Sequence, residues 1–220
     1  MTAKVGVVVF PGSNCEHDVV EAVDSIGGSG KLLWHKDTHL SDVDAVVLPG
    51  GFAHGDYLRT GAMARFSPIM EVVCRFAYDG GPVVGICNGF QILTEAQLLP
   101  GALYKNRGLK FLCQTTTLRV ESTSSVLTRG LAQGDELNVP INHFEGNYVC
   151  SKETLEELRA SNQVVLTYRD NPNGSTDDIA GICNKNGNVV GLMPHPERAA
   201  HPLLGSTDGA LLLKGLISDG

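Results

Sequence analysis

The stretch Pro82-Val83-Val84-Gly85-Ile86-Cys87-Asn88-Gly89-Phe90-Gln91 decides the fold class. Residues 82–86 carry no polar side chain, as a strand covered on both faces requires. Asn88 opens a helical pattern that continues to Leu98. Cys87 stands at the junction, with Gly85 and Gly89 two residues to either side. Gly-x-Cys-x-Gly between a strand and a helix has the layout of a nucleophile elbow, with cysteine in place of serine. Small neighbours permit the sharp turn, and the turn pushes the sulfur out at the carboxyl end of the sheet. The helix N-terminus favours thiolate over a thiol whose pKa starts at about 8.5. A free cysteine is commonly just a small buried residue; the elbow context separates Cys87 from that reading.

The same rhythm extends towards the N-terminus. Residues 5–10 form an apolar strand, broken by Pro11-Gly12-Ser13-Asn14, and Val19, Val20, Val23 and Ile26 follow at helical spacing. Residues 32–34 and 44–48 are two more strands, the second stopped by Pro49-Gly50-Gly51. Ser67-Pro68 reads as an N-cap followed by proline at the first helical position, ahead of Ile69, Met70, Val73 and Phe76. Alternating strands and helices predict a parallel sheet with helices on both faces. The second half differs: strands are expected at 111–121, 164–168, 179–183 and 189–193. The last two are joined by the hairpin-type turn Asn184-Lys185-Asn186-Gly187-Asn188. A final helix is expected at 208–217. No linker or repeat interrupts the chain, so residues 1–220 are expected to form one α/β domain with an antiparallel addition.

Composition removes several function classes. Lys plus Arg number 17 against 24 Asp plus Glu, for a net charge of −7, a poor match to a nucleic-acid backbone. No apolar run is long enough for a membrane span or a signal-peptide core, which predicts a cytoplasmic protein. The six cysteines, at 15, 74, 87, 113, 150 and 183, include no C-x-x-C pair, so neither a metal site nor a disulfide framework is expected. There is no P-loop, and Gly28-Ser29-Gly30 lacks the third glycine of a dinucleotide fingerprint. No cofactor is expected on this chain.

Two further segments complete a candidate site. A thiolate attacking an acyl carbon creates an oxyanion, which needs prepositioned N–H donors. The paired glycines Gly50 and Gly51 let backbone amides approach closely, and Asn88 supplies a second amide. The nucleophile also needs a base oriented by a third group. Two histidines have a carboxylate two residues on, His143-Phe144-Glu145 and His195-Pro196-Glu197. His195 is favoured, because it follows a strand as Cys87 does and is stiffened by Pro194 and Pro196; His143 remains the alternative.

Residues 85–91 resemble the nucleophile segment of class I glutamine amidotransferases. The resemblance extends over nearly the whole chain. It takes in Phe10-Pro11-Gly12-Ser13-Asn14-Cys15, Pro49-Gly50-Gly51-Phe52, Asp56-Tyr57-Leu58-Arg59 and Gly191-Leu192-Met193-Pro194-His195-Pro196-Glu197-Arg198. It implies a flavodoxin-like fold, a mostly parallel sheet flanked by helices with a small antiparallel addition. It implies that Cys87 attacks the side-chain amide of glutamine, that His195 shuttles protons and that Glu197 orients it. Gly50, Gly51 and Asn88 would form the oxyanion hole, with Gln91 and the His143–Phe144 backbone at the amino-acid head of glutamine. The γ-glutamyl thioester would be hydrolysed to glutamate. Ammonia would pass, in purine biosynthesis, to a larger synthetase subunit carrying ATP and Mg²⁺, with a small third subunit bridging the two. Phe144 departs from the glycine that many members carry, which narrows the expected pocket. Two other readings stand beside this one: a stand-alone cysteine hydrolase acting on peptides or polyglutamates, and a non-catalytic metabolite-binding module. Gln91 and the 56–59 stretch argue against the first, and the joint presence of Cys87, His195 and Glu197 against the second.

Overall fold

The computed structural model describes residues 2–40 and 42–217. The expected domain over 1–220 also includes residues 1, 41 and 218–220, which lie outside the described residues.

Strands β1 (Lys4–Val9), β2 (Ser29–Trp34), β3 (Ala45–Leu48) and β4 (Val83–Ile86) lie in the order β2-β1-β3-β4, all parallel. Strand β11 (Val189–Leu192) continues the parallel set beside β4. The sheet then runs antiparallel through β10 (Ile179–Cys183), β9 (Val164–Tyr168), β6 (Leu112–Val120) and β7 (Glu136–His143). Strands β5 (Ala102–Tyr104) and β8 (Asn147–Val149) pair separately. This is the expected α/β fold, and its antiparallel addition belongs mostly to the main sheet. Every residue of β3 and β4 is buried, which explains why these strands read as unbroken apolar runs without alternation. Full burial of one Val or Leu contributes about 1.5–3 kcal/mol.

Helix α1 (Glu16–Ser25) follows β1, α2 (Pro68–Tyr78) follows β3, and α3 (Asn88–Glu95) follows β4; α4 (Lys152–Ala160) and α5 (Asp208–Ile217) complete the set. Helix α1 packs on β1, β2 and α5, while α3 lies across β3, β4 and β11. The helix expected to reach Leu98 stops at Glu95, because Gln97 turns left-handed at φ 60°. Pro68 opens α2 as expected, yet the Ser67 hydroxyl does not cap it. That hydroxyl lies 3.3 Å from His35 Nδ1 and 3.2 Å from His54 Nε2 instead. Strands β5, β7 and β8 and helix α4 were not among the sequence expectations.

Candidate active site

Strands β4 and β11 are parallel neighbours with Ile86 in register with Leu192. Their carboxyl ends therefore deliver Cys87 and His195 side by side, although the residues are 108 positions apart in the chain (195 − 87). Cys87 holds φ 52° and ψ −105°, a left-handed backbone that is strained for a residue with a side chain. The strain comes from the strand-to-helix turn, which α3 can make only by packing closely on β3. A Cβ on Gly89 would stand 1.9 Å from the Leu48 carbonyl oxygen. The Cys87 sulfur lies 3.7 Å from the Asn142 carbonyl oxygen.

His195 is 1% exposed and Glu197 2%. His195 Nδ1 and Glu197 Oε1 are 2.6 Å apart. Burial alone would lower the imidazole pKa. The Glu197 carboxylate, with Cys87 beside it, outweighs burial and holds the proton well above the usual histidine range. The other nitrogen, Nε2, is buried without a hydrogen-bond partner of regular geometry. Gly50 makes room for the ring: a Cβ there would stand 2.7 Å from His195 Cε1.

The Gly50–Gly51 turn lies at the end of β3 beside the elbow. Neither Gly51 N–H nor Asn88 N–H is used by a hydrogen bond among the described residues, so both donors are free. The Asn88 side chain joins the two segments. Its Oδ1 accepts from Ala53 N at 3.0 Å and its Nδ2 donates to Gln91 Oε1 at 2.8 Å and to Asp56 Oδ1 at 3.4 Å. Gln91 Nε2 donates in turn to the Glu145 carbonyl at 2.6 Å. Gln91 thus braces the cavity as much as it lines it.

His143 does not form a pair with Glu145 within the described residues. Its Nδ1 lies 3.0 Å from Asn106 Oδ1, whereas Glu145 Oε2 accepts from Thr60 Oγ1 at 3.1 Å. Burial, with repulsion from His195, pushes the His143 pKa down to about 4. The carbonyls of His143 and Phe144 each accept a 2.9 Å bond from Asn106. Asn106 therefore shapes this wall, a role that nothing in Lys105-Asn106-Arg107 announces in sequence. Fully buried Asn173 supports the same wall by donating to the Gly146 carbonyl at 2.8 Å.

These parts face one cavity of about 650 Å³, lined by Cys87, His195, Gln91, Asp56, Phe144 and Glu145 among others. Phe144 keeps its ring at this wall, with Lys105 Nζ 5.9 Å from the ring centre. A larger cleft of about 690 Å³ lies on the antiparallel half. Its charges pair with one another, Arg159 with Asp177 and Arg169 with Glu136, and neither a cysteine nor a histidine lines it. Cys15, His195 and Glu197 bring a thiol, an imidazole and a carboxylate within 4.8 Å of one another, donor types that zinc accepts. Arg198 Nη2 donates to Cys15 Sγ at 3.2 Å. A fixed positive charge thus faces that sulfur, and the trio serves as the imidazole's surround rather than as an ion cage.

A family described as CobB/CobQ-like glutamine amidotransferase domain matches residues 2–208. A relative from Rubrobacter xylanophilus, named phosphoribosylformylglycinamidine synthase subunit PurQ, is 54% identical over 215 residues, 98% of each chain. The chain belongs to this family of glutamine amidotransferases. A Koribacter versatilis relative of the same name is 52% identical over 97% of each chain. Among solved structures, a chain of "Structure of PurLQS from Thermotoga maritima" superposes with a TM-score of 0.91 at 40% identity, over 98% of both chains. Family membership and the strand-end cavity agree on the fold class and on glutamine amidotransferase chemistry. No helix is long and apolar enough to cross a membrane among the described residues.

Proposed function

We propose that this chain is the glutaminase component of a phosphoribosylformylglycinamidine synthase, acting through Cys87, His195 and Glu197 within one domain. The Cys87 thiolate attacks the side-chain amide carbon of glutamine, and the oxyanion develops towards the N–H groups of Gly51 and Asn88. Protonated His195 delivers its Nε2 proton to the departing nitrogen, and ammonia leaves. A γ-glutamyl thioester remains on Cys87. His195, now neutral, removes a proton from water as the water attacks the thioester. Glutamate is released and the thiolate is regenerated with His195 protonated again. Glu197 keeps Nδ1–H in place, so that Nε2 faces the reacting atoms throughout.

The observation that carries this reading is the imidazole itself. It is buried, bonded to Glu197 at one nitrogen, unpartnered at the other, and set at the strand end adjacent to the cysteine. The ammonia is consumed on a larger synthetase subunit that binds ATP and Mg²⁺ and converts formylglycinamide ribonucleotide to its amidine. A small third subunit bridges the two, and the reaction runs in the cytoplasm. The sequence carries no nucleotide-binding fingerprint that would mark an acceptor site, so the isolated glutaminase activity is expected to be low and to rise on docking. The test is glutamate release by the chain alone and with the synthetase, ATP and nucleotide acceptor. Strong stimulation is expected. No glutamate under either condition would overturn the reading, and equal rates would overturn the coupling.

A further inference from the structure

Cys15 stands at the N-cap of α1 without capping it. Ser, Thr, Asp or Asn is preferred there, because its side chain accepts from the first turn, and the Cys15 sulfur makes no such bond. The residue is 2% exposed and lines the cavity together with Cys87 and His195. Its backbone is tied to the turn after β3: Asn14 N–H and Cys15 N–H both donate to the Gly50 carbonyl, at 3.1 and 3.2 Å. Gly50 leaves room for the sulfur as well as for the imidazole, since a Cβ there would stand 3.1 Å from Cys15 Sγ and 2.7 Å from His195 Cε1. A cysteine that forgoes the cap and packs beside the imidazole has no part in the mechanism described above.

Arg198 fixes that sulfur. Its Nη2 donates to Cys15 Sγ at 3.2 Å and its Nε to Asp18 Oδ2 at 3.3 Å. Arg198 follows Glu197 in the turn Pro196–Ala199. One short segment therefore supplies the carboxylate that braces His195 and the cation that holds Cys15. The two sulfurs beside the ring differ in what they can do. Cys87 sits on a strained elbow next to a free N–H, whereas Cys15 already accepts a charge-assisted bond, which draws on its lone pairs and makes it the poorer nucleophile. Burial disfavours the imidazolium; Glu197, Cys87 and a contact with Cys15 favour it. His143, at the end of β7, opposes it. The other ionisable groups near this turn are engaged elsewhere: Arg198 with Cys15 and Asp18, Asp208 of α5 with Asn138 N–H, and His201 with Leu203 N–H.

We propose that Cys15 is a positioning residue for glutamine cleavage: its sulfur, fixed by Arg198, is a second partner that holds the His195 imidazole in place for proton transfer. The proposal rests on the glutaminase reading above. Glu197 alone anchors the ring at one atom. The sulfur adds a second contact, which keeps the ring from swinging about that bond and favours the imidazolium until it donates to the departing nitrogen. Cys15 forms no bond to substrate in this scheme, so the nucleophile and the thioester stay on Cys87.

The test measures kcat for glutamate release from about pH 6 to about pH 10 on the chain assembled with its synthetase; kcat reports the bound state, so titration of free glutamine does not enter. Cys15→Ala should move the alkaline limb down by about one unit, so that its deficit against wild type is about tenfold larger near pH 9.5 than near pH 7, with a smaller change in KM. Cys15→Ser keeps an acceptor for Arg198 and should return the limb most of the way to wild type. Arg198→Lys tests the same contact from another segment: it keeps the charge, loses the paired grip on Cys15 and Asp18, and should shift the limb in the same direction. A Cys15→Ala deficit that is equal at every pH, or no deficit, makes Cys15 structural and overturns the proposal. A Cys15→Ser limb no different from that of Cys15→Ala also overturns it. If Cys15→Ala does not fold, an unshifted limb in Arg198→Lys overturns it. Wild-type protein that releases no glutamate from glutamine would overturn the glutaminase reading instead.

Discussion

Asn88 holds Ala53: the Ala53 N–H donates to Asn88 Oδ1 at 3.0 Å, tying the turn after β3 to the first residue of α3. Both free donors, Gly51 N–H and Asn88 N–H, sit on the two segments that this bond joins. Their spacing therefore depends on a buried amide that makes no contact with the nucleophile's sulfur. Asn88→Ala is expected to lower glutaminase kcat by about 100-fold, the scale of losing one oxyanion donor, with a smaller change in KM. Steady-state kinetics on the assembled complex check this, and an unchanged kcat would show that the bond is dispensable.

Glu197→Gln should change both activity and the pH dependence of stability. The folded pKa of His195 lies above its unfolded value, so the stabilisation is fully present below about pH 6.5 and is lost as pH rises through the folded value. The melting-temperature advantage of wild type over Glu197→Gln should therefore be largest in mild acid and shrink on the alkaline side. Activity should fall by about 10²–10⁴-fold. A stability difference that is flat between about pH 6 and pH 9 would contradict the coupling.

Asp56 shifts in the same direction as His195, but here the charged form is the one that the fold disfavours. Its folded pKa of about 6 lies above the model-compound value of 3.8, so the folded state binds this proton more tightly and is relieved as pH falls through that interval. Asp56→Asn should consequently melt at a higher temperature than wild type near pH 7.5. A lower melting temperature for this variant near pH 7.5 would contradict the destabilisation assigned to this carboxylate.

Gly89→Ala tests the elbow. The added Cβ would meet the Leu48 carbonyl at 1.9 Å, and neither backbone can retreat without separating α3 from β3. Destabilisation of about 4 kcal/mol or more is expected, measured by urea unfolding. A loss below about 1 kcal/mol would mean that the close packing is not required.

Much of the parallel half was legible because β3 and β4 are buried on both faces and end in glycine turns. The Cys87 elbow and the His195 strand end share that signal. Strand β7 was harder to read. It alternates buried and half-exposed residues and carries Pro140, a residue tolerated there because β7 is an edge strand. Strands β5 and β8 have three residues each, too few to show a period. Helix α4 did carry a signal, with Ser151 accepting from Thr154 N as N-cap and Leu155 and Leu158 on one face. Within the site, Asp56 and Glu145 are 89 positions apart (145 − 56) on separate loops. No local pattern relates them, nor does one reveal Asn106 as the brace behind His143.

The central claim is a covalent bond between Cys87 and the γ-carbonyl carbon of glutamine. Its most direct measurement is acid quenching of the assembled complex during turnover of radiolabelled glutamine, followed by counting label on this chain. The account predicts acid-stable, thiol-releasable label on wild type. For Cys87→Ala, it predicts no label and no glutamate release. Undiminished glutamate release by Cys87→Ala, or label that persists on it, would contradict the account.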